Sequence, residues 1–171
     1  MHKLAEKIRG IPDFPRAGIL FRDITTLLKD GQSFAAAIDA MNSMCQDIDC
    51  DLIVAPEARG FIMGAPMAYA LKKGFVPVRK AGKLPSRTRS VTYTLEYGHD
   101  KVEIHEDSIE VGQKVLVVDD LLATGGTIRS AIELVESLGG IVVGVAFLIE
   151  LTELRGREAL AEYDVRSLIE L

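Results

Sequence analysis

The run over residues 115–127, Val-Leu-Val-Val-Asp-Asp-Leu-Leu-Ala-Thr-Gly-Gly-Thr, constrains the fold of this 171-residue chain more than any other segment. Four apolar residues, three of them valine, read as a strand buried on both faces. Asp119 and Asp120 follow where that strand is expected to end. A small turn comes next, built from Ala123, Thr124, Gly125, Gly126 and Thr127. Beyond it, apolar residues recur at Ile128, Ala131, Ile132, Val135 and Leu138, which is helical spacing. The order strand, acid pair, glycine loop, helix puts backbone N–H groups and two hydroxyls at a helix N-terminus, where an anion binds readily. The neighbouring carboxylates can accept hydrogen bonds from a vicinal diol. A phosphate and a ribose are therefore served by one element. The bland alternative, an ordinary turn with an exposed Asp pair, needs neither adjacent acids nor flanking threonines.

Size and composition exclude several classes. A chain of 171 residues with 48% hydrophobic and 26% charged residues suits one soluble domain with a core of its own. No apolar run approaches the ~20 residues of a membrane span. The start, Met-His-Lys-Leu-Ala-Glu-Lys, lacks a signal-peptide stretch. Cys45 and Cys50 are too few for a disulfide framework, and Cys45 shares a helical phase with Phe34, Ile38 and Met41, so a buried thiol in a reducing cytoplasm is expected. The net charge of −5 argues against nucleic-acid binding. An anionic substrate must then be drawn by positive charge gathered locally, and residues 79–89 gather it.

The remaining pattern alternates strands with helices. Leu4, Ile8 and Ile11 predict a short amphipathic helix closed by Pro12. Asp30 predicts the cap of a helix over about 32–46. Strands are expected at 51–55, 75–79, 114–118, 141–149 and 165–169. An alanine-rich helix should run from the turn at 56–60 through Leu71. An antiparallel ribbon is expected over 88–95 and 101–105, with Lys101, Glu103 and His105 on its polar side. Such alternation implies an α/β fold with a mostly parallel central sheet flanked by helices. Ligands gather at the carboxyl ends of such strands, where 56–60, 79–82 and 119–127 all fall. Neither a Walker loop nor Gly-x-Gly-x-x-Gly is present.

Four further groups carry chemistry. Glu57, Ala58 and Arg59 follow a buried strand, where amides and a guanidinium suit a diphosphate; an arginine pairing with a carboxylate at a helix start is the plainer alternative. Arg79, Lys80, Lys83, Arg87 and Arg89, spaced by Gly82 and Pro85, suit a lid over an activated substrate, or simply a solvated basic loop. Glu96 and Tyr97 sit at the ribbon tip, where a carboxylate can manage a proton or merely face water. Leu20, Phe21 and Arg22 lie in a flexible aromatic stretch that can hold a flat base, although composition and pattern alone favour Leu20 and Phe21 as core. No histidine spacing resembles a zinc site. A metal, if required, would be Mg²⁺ carried mainly by substrate phosphate oxygens rather than by a protein cage.

Residues 115–127 resemble the phosphoribosyl-diphosphate (PRPP) signature of the type I phosphoribosyltransferases. The resemblance implies that Asp119 and Asp120 hold the ribose 2′- and 3′-hydroxyls, and that the loop from Ala123 to Thr127 holds the 5′-phosphate. It assigns pyrophosphate to Glu57, Ala58, Arg59, Arg79, Lys80 and Lys83, with a non-proline cis peptide at 57–58, and gives Arg87 and Tyr97 to the lid. Leu-Glu-Tyr-Gly at 95–98 and Phe-Arg-Asp-Ile at 21–24 are similar to the adenine-using members of that family. In those members the matching glutamate, here Glu96, handles the base proton. The base is lined by Leu20, Phe21 and Arg22, with a second stacking residue at Leu151.

The resemblance implies a type I phosphoribosyltransferase fold in one domain over 1–171. Residues 1–30 would form a small base-binding hood, and 79–105 a flexible lid loop and ribbon. The implied activity transfers the 5-phosphoribosyl group from PRPP to adenine, giving AMP and pyrophosphate, with Mg²⁺, in a cytoplasmic homodimer without nucleic-acid or membrane partners. Two alternatives stay open. A 6-oxopurine is one, although 147–152 lacks the lysine those enzymes place there. A PRPP-sensing regulator is the other, although the chain has no spare length for a DNA-binding unit.

Overall fold

The computed structural model describes residues 2–95 and 98–171. The chain opens with one helical turn, α1 (His2–Ala5), and then a short strand, β1 (Arg9–Ile11). The predicted helix through Ile11 is therefore not formed. Residues 9–11 pair antiparallel with β2 (Phe21–Asp23), and Arg9 bonds to its cross-strand partner Asp23. Two turns of helix are marginal alone, so ladder bonds and an ion pair outweigh a 3–4 spacing of apolar residues.

A turn of helix, α2 (Thr25–Leu28), leads to α3 (Gly31–Met44). Asp30 caps α3 as expected, its side chain accepting from the Ser33 amide at 3.2 Å. Then follow β3 (Leu52–Pro56), α4 (Arg59–Leu71), β4 (Gly74–Lys80), β5 (Thr88–Leu95) and β6 (Gly98–His105). The chain continues through β7 (Lys114–Leu122), α5 (Gly126–Ser137) and β8 (Ile141–Glu150). Two 3-10 turns, Thr152–Leu154 and Gly156–Leu160, precede β9 (Val165–Glu170).

The seven main strands form one sheet in the order β5-β6-β4-β3-β7-β8-β9. β4, β3, β7, β8 and β9 are mutually parallel, while β6 and β5 add an antiparallel edge. Because side chains alternate across a strand, the continuous apolar runs serve two cores at once. Ile53, Leu116 and Val118 pack with Met41, Met63 and Met67 of α3 and α4. Val54, Val115 and Val117 pack with Ile128, Ile132 and Val135 of α5. No helix among the described residues is long and apolar enough to cross a membrane.

One departure from expectation shapes the site. β7 does not stop before the acids but runs through them to Leu122. β8 supplies partners for the added length, pairing Asp119 with Phe147, Leu121 with Ile149 and Leu122 with Glu150. Asp119 and Asp120 are thus held by a ladder rather than by a loop. The chain leaves β3 toward β4 on one side, while β7 lies on the other. The crevice between the carboxyl ends of β3 and β7 is the topological switch point of the sheet.

Candidate active site

That crevice is a cleft of about 240 Å³ walled by residues 57–59 on one side and 119–128 on the other, with Phe147 also lining it. Asp120 is 3% exposed. Asp119 Oδ1 accepts from the Asp120 amide at 2.8 Å. Asp120 Oδ2 lies 3.1 Å from Arg59 Nε as an ion pair but is off the N–H direction, so this buried oxygen has no hydrogen-bond partner. Burial, then the neighbouring Asp120 charge, holds the Asp119 carboxyl well above the usual aspartate range. Burial also raises Asp120, against the pull of Arg59. A half-buried acid beside a buried one is poised to accept from a ligand's hydroxyls, which would supply the bond that Asp120 Oδ2 lacks.

Past Leu122 the loop turns at Gly125, whose φ of +89° is open to glycine at little cost, and Gly126 begins α5. Ala123, Thr124, Gly125, Gly126 and Thr127 all line the cleft. The first amides of α5 lack helical partners and face it, as an anion requires. Across the cleft, the start of α4 presses on the acids. A Cβ at Gly60 would stand 2.9 Å from Asp119 Oδ1 and 3.0 Å from Pro56 Cδ.

The peptide 57–58 is cis, as the resemblance implies. Glu57 accepts from Arg79 Nε at 2.9 Å and from the Lys80 amide at 3.0 Å. Burial alone would raise its carboxyl, but these partners hold it below the usual range. The acid therefore tethers the start of the 79–89 segment to the cleft wall. Arg79 Nη1 also reaches the Lys83 carbonyl at 3.3 Å. None of Arg79, Lys80, Lys83 or Arg87 lines the cleft here; the Arg87 carbonyl accepts from the Glu106 amide. Glu103, predicted on a polar face, is instead 8% exposed and accepts from the Gly82 amide at 3.0 Å. A backbone donor that needs a partner draws the carboxylate in. Glu96 and Tyr97 lie outside the described residues.

A second pocket, about 390 Å³ and mostly apolar, adjoins the cleft. Phe21, Phe14, Ile11, Ile24, Leu28 and Ile62 line it, with Asp23, Thr25 and Arg59. Phe14 meets Phe21 edge to face at 5.2 Å between centroids. Arg59 lines both cavities, its guanidinium 5.6 Å from the Phe21 ring centre. The two readings of Arg59 coexist, since it pairs with a carboxylate and faces the cleft. The alternation of β2 sends Phe21 and Asp23 to this pocket. Leu20 and Arg22 stand on the other face, where a Cβ at Gly10 would meet Leu20 Cδ1 at 3.2 Å and Arg22 Nη1 at 4.0 Å. Leu151 packs on the core beneath α3 and α4, its amide donating to the Leu122 carbonyl at 2.9 Å, and lines neither cavity. Phe21 and Asp23 share one face of β2 because a strand can show only alternate side chains to one pocket.

Asp23 was missed as a site residue. It accepts from Arg9, from the Thr25 amide at 2.9 Å and from Thr25 Oγ1 at 2.8 Å, which together pull its pKa down to about 2. Its spacing of two from Phe21 in a strand was the available signal. Phe147 was also missed, and an apolar residue in a buried strand gives no signal.

Among the described residues no group of three His, Cys, Asp or Glu is arranged to hold a metal. The donors at the cleft are hard carboxylate oxygens, and Asp120 Oδ2, ion-paired with Arg59 but without a hydrogen bond, leaves capacity for a cation that brings its other ligands with the substrate.

Comparison with known proteins agrees with this fold. The phosphoribosyl transferase domain model matches residues 23–170. The adenine phosphoribosyltransferase of Symbiobacterium thermophilum is 58% identical over 164 residues, 96% of each chain. The crystal structure of adenine phosphoribosyltransferase from Thermoanaerobacter pseudethanolicus, 55% identical, superposes with a TM-score of 0.97 over 99% of both chains. The Saccharomyces cerevisiae enzyme, solved with an imino-altritol bisphosphate and adenine, is 40% identical with a TM-score of 0.92, covering 98% of this chain and 97% of that one.

Proposed function

The chain belongs to the adenine phosphoribosyltransferases of the phosphoribosyl transferase domain family, and from that membership we propose how its residues divide the transfer of a 5-phosphoribosyl group from PRPP to adenine, which yields AMP and pyrophosphate. Asp119 and Asp120 accept from the ribose 2′- and 3′-hydroxyls and fix the ring as positive charge builds on it. The amides of 123–127, with the Thr124 and Thr127 hydroxyls, cradle the 5′-phosphate. The 57–58 backbone and the cations Arg59, Arg79, Lys80 and Lys83 stabilise the departing pyrophosphate. Phe21 stacks on adenine, squared by Phe14. Leu20 and Arg22 serve that pocket through their main chain, and Leu151 backs the wall behind it. Glu96 takes the proton that adenine loses as its N9 bonds to the sugar, and Tyr97 and Arg87 complete the lid. Mg²⁺, held by diphosphate oxygens with the acid pair nearby, would neutralise charge on the leaving group.

The supporting observation is that Arg59 belongs to both the acid-lined cleft and the apolar pocket, which makes them adjacent subsites for a sugar phosphate and a flat base. We read the chain as one domain over 1–171, with 1–30 as base hood and 79–105 as lid. A cytoplasmic homodimer is part of this reading, its cytoplasmic setting supported by two free, buried cysteines. The decisive experiment measures AMP formation from adenine and PRPP with Mg²⁺, beside hypoxanthine and guanine. Rapid AMP formation with little oxopurine product is expected. PRPP binding without product from any base would overturn the assignment in favour of a sensor.

A further inference from the structure

The segment behind the phosphate loop has no role in the chemistry above, yet it is fitted to that loop atom against atom. Gly156 is buried, and a Cβ there would fall well inside contact distance of the Ala123 carbonyl and 2.8 Å from Leu122 Cδ1. The fit is mutual, because a Cβ at Gly125 would stand 3.0 Å from the Gly156 carbonyl and 3.1 Å from Ala159 Cβ. Two glycines thus let the 3-10 turn Gly156–Leu160 lie directly on the back of the loop.

The turn is anchored to β8, whose end pairs with the strand that carries the loop. Glu150, 4% exposed, is the register partner of Leu122, the last residue of β7. Arg157 Nε reaches both Glu150 carboxylate oxygens, at 2.8 and 2.9 Å, and its Nη1 donates to the Val165 carbonyl at 2.7 Å. A charge this buried holds its place only when so paired, and the planar fork fixes direction as well as distance. On the other side, Tyr163 Oη donates to Glu136 of α5 at 2.8 Å, and Arg129 of α5 pairs with Glu162. The loop is therefore clamped between strand, helix and turn.

We propose that Gly156 and Arg157 are positioning residues for the 5′-phosphate: their contact with the back of loop 123–127, anchored on Glu150, sets the aim of the loop's amides at a phosphate monoester. The inference rests on the cleft assignment given above. Neither residue lines the cleft, so neither touches the ligand. A side chain at 156 would push Ala123 and Gly125 toward the ligand, and displacements near 1 Å cost on the order of a hundredfold when amides must meet an anion.

The test compares two probes on the full-length protein by calorimetry, ribose 5-phosphate and inorganic pyrophosphate with Mg²⁺. Gly156→Ala should weaken ribose 5-phosphate at least tenfold and leave pyrophosphate within about twofold, because 57–59 lies across the cleft. Arg157→Lys, which keeps the charge and loses the fork, should show the same selective loss more mildly and decides the matter if Gly156→Ala does not fold. Unchanged ribose 5-phosphate affinity in folded variants would overturn the proposal, whatever happens to melting temperature. Equal loss of both probes would overturn it too, reducing the turn to general support. If the wild-type protein bound pyrophosphate but not ribose 5-phosphate, the cleft assignment itself would fail.

Discussion

Asp119 and Asp120 show what a site asks of single residues. Both carboxyls stand above the ordinary aspartate value of 3.8, chiefly through burial. The fold therefore favours their protonated forms. That contribution to stability is complete below 3.8 and is lost as pH rises through the raised values, so ionised acids at neutral pH are a cost. Asp119→Asn should melt at or above the wild-type temperature at pH 8, and a clear fall would show that the pair is not strained. Activity should move the other way. Asp120→Asn is expected to lose about 1.5–3 kcal/mol of transition-state binding, the worth of a hydrogen bond to a charged group. Unchanged kcat/KM in that variant would remove the pair from the mechanism. Asp23 has the opposite sign. With its pKa pulled down to about 2, it stabilises the fold fully above 3.8 and loses that effect as pH falls through about 2. Acid unfolding followed by circular dichroism should be less pH-dependent across that window in Asp23→Asn, and an unaltered slope would refute the assigned partners.

Elements were legible in proportion to how local their causes are. The start of α3 is written in Asp30, whose cap needs only Ser33 three residues on. The central strands are written in runs such as Val115 to Val118, apolar on both faces. β1 was not legible, because Leu4, Ile8 and Ile11 fit a helix until Phe21–Asp23 returns beside them. The end of β7 is hidden from the sequence for the same kind of reason: acids usually close a strand, and only the length of β8 keeps the ladder going. Distant anchoring of this type also holds the edge strand. Arg166 of β9 reaches the Asp164 carboxylate at 2.7 Å and the Met44 carbonyl at 2.6 Å, and binds Asp47 with both Nη atoms. It ties the end of α3 to the last strand and does not line the cleft. Arg166→Ala should cost about 2 kcal/mol of stability in urea titration with kcat unaffected, since charged hydrogen bonds are lost but no site contact is. A kcat defect at intact stability would place Arg166 in a functional path that its contacts do not suggest.

At the scale of the whole molecule, the puzzle is an acidic protein that binds an anionic substrate. The net charge of −5 repels PRPP at a distance, and the chain answers by placing Arg59, Arg79, Lys80 and Lys83 near the strand ends that meet at the cleft. The sequence showed this clustering, because 79–89 is basic in a chain that is not. It did not show that Glu57 would hold Arg79 back against the wall, since that needs β3 and β4 side by side with Pro56 opposite Val78. A field built from a few cations near one edge acts over short range. The screening length is about 10 Å at 0.1 M salt and about 3 Å at 1 M, so added salt should weaken capture of PRPP far more than that of neutral adenine. Raising sodium chloride from about 0.05 to 0.5 M is expected to lift the KM for PRPP several-fold, while the KM for adenine changes less than twofold. If both constants rose together, salt would be acting on the fold. If neither moved, the cations would work only in contact with pyrophosphate, and the acidic surface would matter little to encounter.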